Sequence, residues 1–89
     1  MRSIWKYHVL QEDRFAITMP AGAEVLCVQP QGSELQLWAL VDTNALREER
    51  WFRTYGTGHP FAEVAQRYVG TYQLLGGRLV FHLFEELEQ

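Results

Sequence analysis

One cysteine, one lysine, three prolines and no long apolar run are what this 89-residue chain has little of, and each scarcity closes off a class of protein. With Cys27 alone there is no internal disulfide framework, so packing, or association with another chain, must hold a small domain together. No stretch approaches the ~18–20 apolar residues needed to span a bilayer. Met1-Arg2-Ser3-Ile4-Trp5-Lys6 leads into a charged strand instead of a signal-peptide core, so no membrane and a cytoplasmic location are expected. A formal charge of −3 and a pI near 5.5 make nucleic acid an unsuitable partner, because neutralising phosphates takes an excess of Lys and Arg. His8, His59, His82 and Cys27 show no metal-motif spacing, and no metal or cofactor is expected. A catalytic signature is missing too. Cys27 sits mid-strand among apolar residues, Glu12-Asp13 falls in a turn, and Glu85-Glu86 ends the chain, so none has the neighbours that nucleophilic or acid–base chemistry requires.

What is present is strand patterning sufficient for one small domain. A composition 47% hydrophobic and 21% charged is that of a globular chain, and 89 residues give material for a single core. Trp5, Tyr7 and Val9 alternate with Lys6 and His8, and Phe15, Ile17 and Met19 alternate with Arg14, Ala16 and Thr18; the second run is expected to pair antiparallel with the first. Pro20-Ala21-Gly22 marks a turn. Glu24–Val28 is apolar on both faces, which predicts a central strand covered from both sides. Leu35, Leu37, Ala39 and Val41 form an inward face in the next strand, leaving Trp38 and Leu40 on a face otherwise polar. A covering loop is the expected partner for those two residues, and an exposed patch awaiting a partner is the alternative. Asp42-Thr43-Asn44 suits the cap of a single helical turn through Arg47, with Arg47-Glu48-Glu49-Arg50 a solvated, self-neutralising turn.

Residues 51–60 concentrate the polar and aromatic groups. A strand from Trp51 ends at Gly56-Thr57-Gly58-His59-Pro60. Pro60 suits the first position of a helix, and Phe61, Val64, Ala65 and Tyr68 then follow helical spacing for about two turns. The Gly76-Gly77 pair predicts a tight two-residue hairpin turn, and counting outward opposes Leu75 to Arg78, Leu74 to Leu79, Gln73 to Val80, Tyr72 to Phe81, Thr71 to His82 and Gly70 to Leu83. Gly70 leaves room for a bend or a close backbone contact. The sum is an all-β domain of six or seven short antiparallel strands with one short helix, a barrel or a sandwich; a closed barrel is preferred because closure removes sheet edges.

The candidate binding residues are Trp38, Leu40, Arg53, Tyr55, Thr57 and His59. Aromatic and Arg side chains are the usual anchors of protein-binding surfaces, which points to a protein partner. A second reading places a small anion, such as a nucleotide or phosphate compound, at Gly56–His59 with Arg53, although the full phosphate-loop spacing is absent. A third is self-association into a homodimer through an outer apolar patch.

Ile4-Trp5-Lys6-Tyr7, Met19-Pro20-Ala21-Gly22-Ala23, Leu37-Trp38-Ala39-Leu40-Val41-Asp42, Phe52-Arg53, Gly56-Thr57-Gly58-His59-Pro60 and Leu79-Val80-Phe81-His82-Leu83-Phe84-Glu85 together resemble a family of small uncharacterised proteins encoded by bacteriophages and bacterial prophages. The resemblance covers almost the whole chain. It implies a cytoplasmic accessory protein of phage origin and carries no assigned activity; that the partner is a host or phage protein is the expectation from Trp38, Leu40 and the Arg53–His59 region.

Overall fold

A computed structural model describes residues 1–87. Seven strands, β1 (Arg2–His8), β2 (Arg14–Pro20), β3 (Glu24–Gln31), β4 (Glu34–Asp42), β5 (Arg47–Gly56), β6 (Gln66–Leu74) and β7 (Leu79–Glu86), form two antiparallel sheets of order β1-β4-β3 and β2-β5-β7-β6. The sheets pack face to face as a sandwich, which corrects the preference for a closed barrel. No helix among the described residues is long and apolar enough to cross a membrane.

Alternation determines the core. Phe15, Ile17 and Met19 of β2, Leu35, Leu37, Ala39 and Val41 of β4, and Phe52 of β5 all face inward and are buried. Phe15 stacks on Phe52 with ring centroids 5.6 Å apart. Each of these side chains other than that of Ala39 contributes about 1.5–3 kcal/mol of burial, opposed by the entropy of ordering it.

Several long-range expectations change. β1 pairs with β4 and β2 with β5, so the first two strands lie in different sheets. β3 is an edge strand instead of a central one. Its apolar run comes from a bulge at Leu26: Val25 opposes Ala39 and Cys27 opposes Trp38, so the extra residue shifts the alternation and both Val25 and Val28 can face inward. The expected helical turn after Asp42 is an Asx turn, in which the Asp42 carboxylate accepts the Asn44 amide at 3.0 Å. Residues 47–50 are the first part of β5.

The helix expected over residues 61–68 is also absent. Residues 57–65 form an irregular loop and Tyr68 belongs to β6. Backbone groups that a helix would use are committed elsewhere: the Gln66 side-chain amide donates to the Ala62 carbonyl at 2.9 Å, and the Leu87 amide donates to the Ala65 carbonyl at 3.0 Å.

The last hairpin follows the counted register from Leu74–Leu79 to Gly70–Leu83. Its turn is wider than two residues, because Leu75 joins Gly76 and Gly77 at positive φ, so the expected Leu75–Arg78 pair becomes part of the turn instead of the ladder. A bulge between Tyr68 and Gly70 bends β6 towards β3. Gly70 is required there, since an added Cβ would lie 2.9 Å from Cγ1 of the buried Val28.

Candidate functional site

The six candidate residues divide between two opposite faces. Trp38 and Leu40 stand on the outer face of the three-stranded sheet, half-buried, and in the ladder they are flanked by Lys6 and Cys27 and by Ile4 and Glu24. Arg53, Tyr55, Thr57 and His59 belong to the four-stranded sheet, on β5 and the turn that follows it.

At that turn the chain folds back on itself. The His59 amide donates to the Gly56 carbonyl at 3.0 Å and the Thr57 amide to the Val80 carbonyl at 3.3 Å. Gly58 supplies the positive φ, 89°, that the reversal needs. The His59 ring then lies over Gly56, where a Cβ would come within 2.9 Å of Cε1 and Nδ1. The ring itself stays exposed.

The outer face of the same sheet carries a cluster of four rings. Tyr55 and Phe61 have centroids 4.6 Å apart, Phe61 and Phe84 5.1 Å, and Tyr68 and Phe84 5.4 Å. Phe61 is 49% exposed and Tyr68 56% exposed. The Tyr55 hydroxyl donates to Gln66 Oε1 at 2.8 Å, which ties the cluster to the start of β6. Beside it runs a polar chain: Thr57 Oγ1 is 2.7 Å from His82 Nε2, His82 Nδ1 is 2.9 Å from Thr71 Oγ1, and Thr71 Oγ1 is 2.6 Å from the Tyr68 hydroxyl. This chain ties Tyr68 to the turn at Thr57 through His82 and Thr71.

Two carboxylates organise the arginines. Glu86 is buried and accepts from Arg53 Nε at 2.6 Å and Arg14 Nε at 2.7 Å on the outer face; the Arg14 guanidinium also lies 4.1 Å over the Trp51 ring. Glu85 turns the other way, into the sandwich, where Arg50 grips it through two nitrogens and Arg67 Nη2 approaches at 3.1 Å. Hydrogen bonding to Glu85 raises the Arg50 pKa above its already high value, against the opposing effect of burial. Thus Arg53, expected to be available to a ligand, is already paired.

Two hollows border the turn. A cleft of about 420 Å³ is lined by residues including Asp13, Arg53, Tyr55, His59 and Phe61. A second, of about 260 Å³, enters the open end of the sandwich between residues including Glu12, Asp13, Thr54, Tyr72 and Phe81.

Phe61, Tyr68, Phe84 and Glu86 were not among the sequence candidates. Phe61 and Tyr68 carried a signal, their apolar character, which helical spacing absorbed. Glu86 had none, since its arginines come from distant strands.

A family model described as Domain of unknown function (DUF7352) matches residues 1–89. No curated protein and no solved structure matches the chain.

Proposed function

From the premise that the chain belongs to this family of unknown function, we propose that it is a small non-enzymatic binding module of phage or prophage origin, acting in the cytoplasm of a bacterial host and engaging a host or phage protein there. The observation that supports this is the aromatic cluster. Phe61 and Tyr68 hold about half their surface in water while Tyr55, Phe84 and the Glu86-paired arginines fix the ground beneath them. Rigid, partly exposed rings flanked by Arg are the composition of binding hot spots. Trp38 and Leu40 face the opposite way and belong to a separate surface.

The small-anion reading draws less support. The Thr57 and His59 amides are spent on the Val80 and Gly56 carbonyls, Arg53 is held by Glu86, and Glu12 and Asp13 line the adjoining hollow. An anion there would meet carboxylates before it met a free donor.

The test is affinity capture of tagged protein from nuclease-treated bacterial lysate. Phe61→Ser/Tyr68→Ser is compared with Trp38→Ala, each checked for folding by circular dichroism. A specific protein captured by wild type and Trp38→Ala, and lost with the ring variant, is the expected result. Loss with Trp38→Ala alone moves the surface to the three-stranded sheet. No capture, together with thermal stabilisation by a nucleotide or phosphate compound, replaces this reading with the ligand one.

A further inference from the structure

The four sheet edges differ in how they are guarded. β2 ends in Pro20, β3 carries Pro30 and the Leu26 bulge, and β6 carries the Val69 bulge and lies against β3. Prolines and bulges stop an edge from pairing. β1 has neither: its seven residues contain no proline or glycine and stay in unbroken register with β4.

Parity shows where its free groups point. The Val9 amide donates to the Leu35 carbonyl and the Thr43 amide to the Met1 carbonyl, both at 2.9 Å. Each pair lies directly opposite when the β1–β4 register is extended by one residue, so odd-numbered residues turn their amides and carbonyls to β4. Orientation alternates along an antiparallel strand. The amides and carbonyls of Arg2, Ile4, Lys6 and His8 therefore point away from β4, and β4 is the one strand beside β1 in its sheet.

Side chains of the same four residues occupy the outer face and are exposed. Arg2, Lys6 and His8 are all basic types. The Arg2 end lies opposite Asp42 and His8 lies 3.7 Å from Glu34, whereas Lys6 bonds the neutral Gln31 at 2.8 Å and has no carboxylate partner among the described residues. The inner face presents Trp5 and Tyr7, half-buried.

We propose that the free edge of β1 is a strand-addition site for an extended segment of another protein in which acidic residues, set beside Arg2, Lys6 and His8, alternate with apolar residues that prolong the Trp5–Tyr7 face. Main-chain hydrogen bonds supply the affinity and the alternating side chains the selectivity. Charge argues against a second copy as the occupant. Two β1 strands paired antiparallel about Trp5 bring Arg2 opposite the His8 of the other copy, put Arg2 and Lys6 of both copies on one face, and supply no carboxylate from either strand.

The probe is a capped octapeptide alternating Glu and Val, with the Lys/Val octapeptide as its charge reversal, added to isotope-labelled protein and followed by amide hydrogen exchange. The expected result is slowed exchange at Ile4 and Lys6 with the Glu peptide, and binding weaker by at least about tenfold with the Lys peptide. Arg2→Glu/Lys6→Glu inverts that preference. Ile4→Pro removes an outward-facing N–H that β4 does not use, and abolishes binding in a folded protein; if that variant fails to fold, the charge-reversed pair decides. No protection, equal protection by both peptides, protection at β2 instead, or protection that rises with protein concentration alone and so marks a second copy, each overturns the proposal. The aromatic face is untouched by these substitutions, so this result and the capture result are independent.

Discussion

The two ends of the sandwich treat buried polar groups in opposite ways. At one end Glu85, whose side chain is 3% exposed, is met by Arg50 and Arg67, and Arg50 also donates to the Ala23 carbonyl at 2.9 Å. At the other, a hollow of about 260 Å³ opens between Thr54, Tyr72 and the loop at residues 11–13, and the buried Thr54 hydroxyl reaches no hydrogen bond of normal geometry among the described residues. The first end is closed by charge that is fully matched; the second keeps an unmatched group beside a space. Adjacent inward positions of one strand, Phe52 and Thr54, mark the passage from a packed interior to an accessible mouth.

Removing the match should have the largest effect. Glu85→Gln removes both hydrogen-bonded contacts of the Arg50 guanidinium with a buried carboxylate and leaves it only Glu48, 3.6 Å away and half-exposed, as counter-charge. Stability is expected to fall by about 3 kcal/mol, read as a lower midpoint in urea, and a shift below about 1 kcal/mol would show that Glu48 and water replace the lost carboxylate. The open end should respond with the opposite sign. Thr54→Val exchanges an unsatisfied hydroxyl for a methyl of similar shape, and a gain of about 1 kcal/mol is expected in the same titration.

Alkaline titration sharpens the contrast. Burial pushes the Tyr72 phenol above its ordinary 10.0, with the Thr54 hydroxyl drawing it partly back. The fold then holds this proton more tightly than the unfolded chain does. Its contribution is complete below pH 10.0, declines as pH rises past that value, and is lost through the higher folded pKa. Tyr72→Phe should therefore flatten the fall in stability between about pH 9 and about pH 11. Tyr7, raised mainly by burial as well, leaves a remainder. Arg50, held above its already high value chiefly by the hydrogen bond to Glu85, stays charged throughout that range. The smallest effect is expected at the mouth itself: Gly56→Ala places a methyl against the exposed His59 ring, which can turn aside, so the cost should stay within about 0.5 kcal/mol and vanish when combined with His59→Ala.

What was legible in the sequence was local. The inward faces of β2 and β4 follow from alternation alone, and the β6–β7 register from counting out of Gly76-Gly77, because each depends only on residues close in sequence. Gly70, marked as a place for close approach, meets Val28. Pairing at a distance was not legible: β1 and β2 alternate equally well, and nothing in either run says that one joins β4 and the other β5. Phe61, Val64 and Tyr68 kept helical spacing while Gln66 and Leu87 took the carbonyls that a helix requires. Arg53 looked free for a ligand because Glu86, 33 residues away, is brought to it only by the order of strands in the sheet.

Consecutive carboxylates at positions 85 and 86 face opposite ways and hold four arginines that precede them by 18 residues for Arg67, 33 for Arg53, 35 for Arg50 and 72 for Arg14. On the ribosome, which builds a chain from its N-terminus, all four arginines are made before either counterion exists. With β1 to β6 already synthesised, the interior position between β5 and β6 and the outer position beside β5 still lack their anions. The four-stranded sheet can therefore be completed only after the last of its strands is made, and β7 brings the anions for both of its faces together.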